Sequence, residues 1–392
     1  MYNLIDVVNL NADASCLSSE QWIKMLQGGK NSYFYQWLKV YVDGNKKISL
    51  GITGSTASDV ASFNPEAIEF INQHKDIFEI ILRPYSHDIA LMRSTKGFLL
   101  NLETGMKVLQ KEFSNVTAFY LPPEFMLTNE QVQLLSEKKV EGTFINALRF
   151  KPEIRQRLPE HPYIVKGLFD AQLKCIPFES KLTSAYLNAI HFYDSSYWNE
   201  VFTQRRHDYY FSWRDGESSF FVPDGNNREA TWLEGEDKEI QRVFISEIIN
   251  NLTFDNNANL KENHYHYYPI HSFSAWMKEF RMLGFIGKLQ ELETSVEQMS
   301  NEETALWLQV INSDILSAIE KDSPSIKIKA GKYSDEITEH TIWRCERGME
   351  GEEYLELLHQ LKNKKDIKPY LEKSNNPHIQ KINSRITYLL KL

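Results

Sequence analysis

The feature that most constrains this chain is an alternation of short apolar runs with amphipathic helical stretches through its first half. Asn3–Leu10, Lys47–Gly54, Phe78–Pro84, Val116–Leu121 and Thr143–Asn146 each read as a strand. Between the third and the fourth, Phe98, Leu99, Leu102, Met106, Leu109 and Phe113 recur at helical steps, which predicts a helix over Thr95–Phe113. Thr128 with Gln131 three residues on is a capping box, predicting a helix over Thr128–Lys138. Tyr163–Gly167, Leu173–Pro177 and Asp208–Trp213 read as later strands. Strand, helix, strand, helix means a parallel α/β sheet, open or closed. About seven or eight candidate strands before residue 256 favour a barrel.

The character changes after the polar stretch Asn256-Asn257-Ala258-Asn259. Phe273, Trp276, Met277, Phe280 and Leu283 then mark one helical face, and Trp307, Leu308, Ile311, Ile315 and Ile319 another. The expected organisation is a (β/α) barrel over 1–255 and a C-terminal helical region over 256–392 that caps it. In 335–392 acids interleave with the lysines, so this part reads as a solvated helical cap and not as a basic patch.

Charge and length exclude several classes. With 44 basic against 53 acidic residues the formal net charge is −9, which opposes a nucleic-acid partner. No run of 18 apolar residues occurs, so no membrane span is expected. The start, Met1-Tyr2-Asn3-Leu4-Ile5-Asp6, lacks a basic segment before an apolar one and reads as a strand, not a signal peptide. Cys16, Cys175 and Cys345 lie far apart, which fits reduced thiols in a cytoplasmic protein.

In parallel α/β folds the chemistry sits just beyond the C-terminal ends of the strands. There the chain places Asn11-Ala12-Asp13, Gly54-Ser55-Thr56, Tyr85-Ser86-His87-Asp88, Pro122-Pro123-Glu124-Phe125 and Trp213-Arg214-Asp215-Gly216-Glu217. Carboxylates thus reach one rim from different strands, with a histidine and aromatics between them, which suits glycoside hydrolysis by two carboxyls. Aromatic residues make up 12 % of the chain and cluster in short runs, as suits stacking on the apolar faces of sugar rings.

These segments, taken in order, resemble glycoside hydrolase family 57, a family active on α-glucans. The resemblance implies a seven-stranded (β/α) barrel followed by a helical region. Tyr120-Leu121-Pro122-Pro123-Glu124-Phe125 resembles the family's nucleophile segment, which makes Glu124 the nucleophile candidate. Trp213-Arg214-Asp215-Gly216-Glu217 resembles its aspartate–glycine–glutamate turn, which makes Asp215 the general acid/base. Tyr85-Ser86-His87 is similar to the family's segment at the third strand end, and Ile311-Asn312-Ser313-Asp314 to a helix whose aspartate reaches the substrate. The implied mechanism is that of a retaining glycosidase or transglycosylase with an oligosaccharide or polysaccharide substrate and no cofactor. Trp213, Tyr120 and Phe125 are expected to stack on sugars. His87, Asp314 and Asn11 are expected to orient hydroxyls, with Glu217 beside them. Trp307 shares an azimuth with Asp314 on its helix and is expected with it among the substrate-binding residues. Arg214 is expected to face away from the site. The chain departs from the family at strand one, where Asn9-Leu10-Asn11 stands in place of two imidazoles.

Two alternatives share the fold type. A metal-dependent polysaccharide deacetylase needs an aspartate and two histidines on one ion; Asp13 and His87 are present, but Arg83 stands where the second histidine belongs. A non-catalytic carbohydrate-binding protein fits the altered first motif. His264-Tyr265-His266 reads as an aromatic loop in preference to a metal pair. The sequence does not give the oligomeric state.

Overall fold

The fold is built around β1 (Tyr2–Leu10), whose side chains alternate between two buried faces. Ile5 and Val7 enter an inner apolar cluster, while Leu4, Val8 and Leu10 enter a larger one shared with the surrounding helices. A strand buried on both faces belongs inside a parallel sheet. In this computed structural model β1 pairs in parallel with β2 (Ile48–Ile52) on one side and β8 (Tyr209–Asp215) on the other. β3 (Phe78–Leu82), β4 (Val116–Tyr120), β5 (Gly142–Asn146) and β7 (Gln172–Phe178) extend the parallel run beyond β2. The residues described are 2–13, 18–146, 162–178, 180–204, 209–222, 224–258, 280–294, 296–312, 371–372 and 374–392.

The sheet is α/β and largely parallel, but it is not the closed seven-stranded barrel expected. Among the described residues it has ten strands, in the order β10-β6-β7-β5-β4-β3-β2-β1-β8, with β9 (Ile240–Arg242) also beside β1. β6 (Tyr163–Lys166) folds back antiparallel along the outer edge of β7 and is itself flanked by β10 (Asp255–Ala258). Both edges of β7 are therefore occupied, by β5 and β6, and β8 forms no ladder with it among the described residues. The two ends still approach through side chains. Phe125 meets Phe178 of β7 at 5.3 Å and Trp213 of β8 at 5.1 Å, both edge to face. β9 and β10 escaped the sequence reading because one is three residues long and the other carries Asp-Asn-Asn, with no apolar pattern.

The expected helices are present as α5 (Thr95–Glu112) and α6 (Asn129–Glu137). The α6 capping box is formed: Gln131 N donates to Thr128 Oγ1 at 3.1 Å, and Thr128 N donates to Gln131 Oε1 at 3.0 Å. Helices α1 (Ser19–Leu26), α2 (Tyr33–Asp43), α3 (Gly54–Phe63) and α4 (Pro65–Gln73) cover the other strands. In the C-terminal part, a helix over Asn301–Val310 and the last helix, Pro377–Leu390, pack on each other, and the last helix also packs on α1 and α3. That last helix is not merely solvated: its Lys381 and Arg385 are buried. The faces expected over 273–277 and 315–319 and the His264-Tyr265-His266 run lie outside the described residues. Among the described residues no helix is long and apolar enough to cross a membrane.

Candidate active site

The inward positions of β1, β3 and β8 turn from apolar to polar at the C-terminal ends of the strands. On β1 the inner series Ile5, Val7 continues with Asn9 and Asn11. On β8 the series Phe211, Trp213 continues with Asp215, and β3 runs on past Ile81 to Arg83. Asn9 and Asp215 are register partners, so Asn9 Nδ2 donates to Asp215 Oδ1 at 2.8 Å. The Oδ1 of the same amide accepts from Arg83 Nη1. The result is a buried relay from β3 through β1 to β8. Outward-facing Arg214 turns the other way, ion-paired with Asp6 at 3.1 Å and Glu229 at 2.9 Å.

Glu124 arrives on a single turn, Pro123–Phe125, after β4. Phe125 N and Met126 N donate back to Pro122 O and Pro123 O, each at 3.0 Å. Glu124 (φ 54°, ψ 18°) and Phe125 (φ 53°) both adopt the left-handed region. Each such non-glycine residue costs on the order of 1 kcal/mol or more and persists only where packing holds it. Here Phe125 is wedged between Phe178 and Trp213. The Glu124 side chain is 16 % exposed, and its Oε1 lies 3.9 Å from Nδ1 of buried His87. Burial, reinforced by the charge of Arg83, pushes the His87 imidazole down to about 4, so it faces Glu124 as a neutral ring near pH 7. Burial also lowers Arg83 to about 10, against the opposing pull of Tyr120, Glu217, Asp215 and Glu124. Arg83 stays charged and sits electrostatically among those three carboxylates.

Glu217 is buried on the turn after β8, where its carboxylate accepts the N–H of Asn11. Trp213 and Phe125 lie in the inner cluster directly beneath this rim. Tyr120 and Trp307, expected to face a sugar, are instead buried in the main core, 1 % and 0 % exposed. Parity explains Tyr120, since its neighbours Phe119 and Leu121 take the inner face. Asp314 lies outside the described residues. Nearby Asn312 bridges backbone to backbone with Asp88, beside His87.

Sequence reasoning named Asn9 and Arg83 only as replacements for imidazoles and not as site residues. The signal was present in strand parity, because Asn9 shares the parity of Ile5 and Val7 and Arg83 that of Ile81. The Asp13 carboxylate is held by Lys381 and Arg385, each at 2.8 Å. Among the described residues no three His, Cys, Asp or Glu side chains converge as a metal site.

No protein-family model and no curated protein matches the chain. Solved structures do. The chain is similar to an α-amylase from Thermotoga maritima, at 10 % identity and a TM-score of 0.58, over 100 % of this chain and 98 % of that one. It is similar to a family 57 branching enzyme from Thermococcus kodakaraensis, at 10 % identity and a TM-score of 0.58, over 96 % of each chain. A 4-α-glucanotransferase from Thermococcus litoralis aligns at 14 % identity and a TM-score of 0.56, over 83 % of this chain and 54 % of that one. The chain thus spans about half the length of that transferase. At these identities the likeness shows the fold alone, an α/β fold shared with the amylase, the branching enzyme and the transferase.

Proposed function

We propose that the chain is a glycoside hydrolase or transglycosylase of the family 57 type, acting with retention on an α-glucan or a related oligosaccharide. The observation that supports this most is the placement of Glu124 and Asp215. They reach one rim from β4 and β8, both partly exposed, and both act on the same buried Arg83. The fold neighbours, an amylase, a branching enzyme and a glucanotransferase, fit the reading.

Glu124 attacks the anomeric carbon while Asp215 protonates the departing glycosidic oxygen, so the C–O bond breaks as the glycosyl–Glu124 ester forms. Asp215 then takes a proton from water or an acceptor hydroxyl, whose oxygen displaces Glu124. The two carboxyls need to stand roughly 5–5.5 Å apart. Asn9, bound to Asp215, limits its rotation, and His87 flanks Glu124 without adding charge. Phe125 and Trp213 shape the floor, and Asn11, Glu217 and Asp314 serve as hydroxyl-binding residues. The mechanism uses no cofactor. The same reading divides the chain near residue 255 into a catalytic sheet and a capping helical region. It places the protein in the cytoplasm, where the buried Cys175 thiol would stay reduced.

The test is turnover of malto-oligosaccharides. Glu124→Gln and Asp215→Asn are each expected to lower kcat by about 10³-fold with the fold intact. Wild-type rates in either variant would refute the assignment. Asn9 and Asn11, where the family carries imidazoles, favour one second reading, a carbohydrate-binding protein on the same fold. Glucan binding by the wild-type chain without any turnover would establish it.

A further inference from the structure

Arg83 is 1 % exposed, and only one part of its guanidinium is used. Nη1 donates to Asn9, but Nε and Nη2 have no hydrogen-bond partner among the described residues. These two nitrogens form one edge of the guanidinium, the fork that donates to two oxygen atoms side by side. Buried charged donors left unmet are costly, and an arrangement that keeps them so is explained if a ligand meets them. Arg83 lies just past the inner end of β3, and Tyr120, Glu217, Asp215 and Glu124 act electrostatically on its charge. Paired oxygens come as a carboxylate or phosphate, or as adjacent hydroxyls on a sugar. The three carboxylates decide between these, because a further negative charge among them is repelled while a neutral diol is not. A diol also donates, and carboxylates around the guanidinium are the acceptors it needs.

We propose that Arg83 is a specificity-determining binding residue whose Nε–Nη2 edge holds two adjacent hydroxyls of a neutral glycosyl unit seated beside Glu124. This rests on the carbohydrate reading above and adds to it a ligand class and a residue. Asn9 holds the far side of the guanidinium and so fixes the direction of the fork.

The experiment is calorimetric titration of the full chain, wild type and Arg83→Lys, with maltotriose and with analogues lacking one ring hydroxyl at a time. Lysine keeps the charge and loses the fork. Maltotriose is expected to bind Arg83→Lys about tenfold more weakly. Removing either of two adjacent hydroxyls is expected to weaken wild-type binding about tenfold and to leave Arg83→Lys nearly unchanged. Equal affinity of the two proteins for maltotriose overturns the proposal. So does indifference of the wild type to every deoxy analogue, a comparison that stands even if Arg83→Lys fails to fold. Wild-type protein that ignores maltotriose but binds a glucuronate trisaccharide or glucose 6-phosphate overturns the neutral class. The catalytic reading fails separately: turnover that survives Glu124→Gln refutes the mechanism while a weakened Arg83→Lys still supports the fork.

Discussion

At the scale of single residues, the rim depends on what α5 leaves unfilled. Gly105 of α5 lies against the segment that carries Arg83 and His87. A Cβ there would stand 2.5 Å from Arg83 O, Pro84 C and Tyr85 N, closer than real contacts allow. One turn earlier Asn101 clamps the same segment, accepting from Ser86 N at 2.8 Å and donating to Ser86 O at 3.1 Å. Backbone faces backbone, so no side-chain rotation relieves the added methyl. Gly105→Ala is expected to cost about 1–3 kcal/mol in urea unfolding and to weaken sugar binding, because Arg83 moves with the displaced segment. A loss under about 0.5 kcal/mol, within the range of a neutral surface change, would show that the helix yields instead. Nothing in the sequence marks Gly105, since its partner is a loop some twenty residues away. Glu124 and Asp215 were legible because each follows an apolar run, where a carboxylate stands out. Asn9 and Arg83 stood out in the sequence only as replacements for imidazoles, and it is strand parity that places them on the inner face.

At the scale of elements, the last helix is tied to the sheet by charge as well as by packing. Lys381 and Arg385, four residues apart, lie on one face of it. Arg385 binds Asp59 of α3 through two nitrogens, at 2.8 and 2.6 Å, and binds Asp13 at 2.8 Å. Trp22 Nε1 of α1 completes the shell on Asp59 at 3.0 Å. For Asp13, burial pushes the carboxyl up but is outweighed by Arg385 and Lys381, which hold it well below its usual range. Asp13 in turn donates its N–H to Asn11 Oδ1 at 3.2 Å, so the helix is coupled to the strand end that meets Glu217. Removing one partner of a buried network leaves uncompensated charge. Arg385→Met is therefore expected to cost about 3–5 kcal/mol, read from the denaturation midpoint, and adding Asp59→Asn is expected to recover part of it. A cost below about 1 kcal/mol, the level of a surface pair, would mean that the ions are solvated in practice. The sequence suggested a solvated cap because local charges interleave. Acids more than 300 residues away, which local pattern does not reveal, decided otherwise.

At the scale of the whole molecule, strand content was legible but closure was not, because the direction of β6 depends on which edge of β7 is free and not on any pattern in β6. Burial of ionisable groups around the same strand ends has a measurable global consequence. His87 is lowered to about 4 in the folded chain, from the ordinary 6.5 of an imidazole, so between these limits the unfolded chain binds the extra proton and stability rises with pH. Asp88 behaves oppositely. Burial raises its carboxyl to about 7 from 3.8, against the pull of Arg93, which Asp88 shares with Glu293. Between those limits the folded chain holds the extra proton, and stability falls as pH rises. The two slopes, each about 1.4 kcal/mol per pH unit, nearly cancel from about pH 4 to 6.5. Single substitutions separate them. Relative to wild type, Asp88→Asn is expected to gain about 4 kcal/mol in stability between pH 4 and 7, and His87→Asn to lose about 3 kcal/mol between pH 4 and 6.5. Comparing each variant with wild type in urea at several pH values removes the contributions of the other titrating groups. Differences that do not change with pH would mean that water reaches both side chains, and a rim open to that degree would not keep His87 neutral beside Glu124.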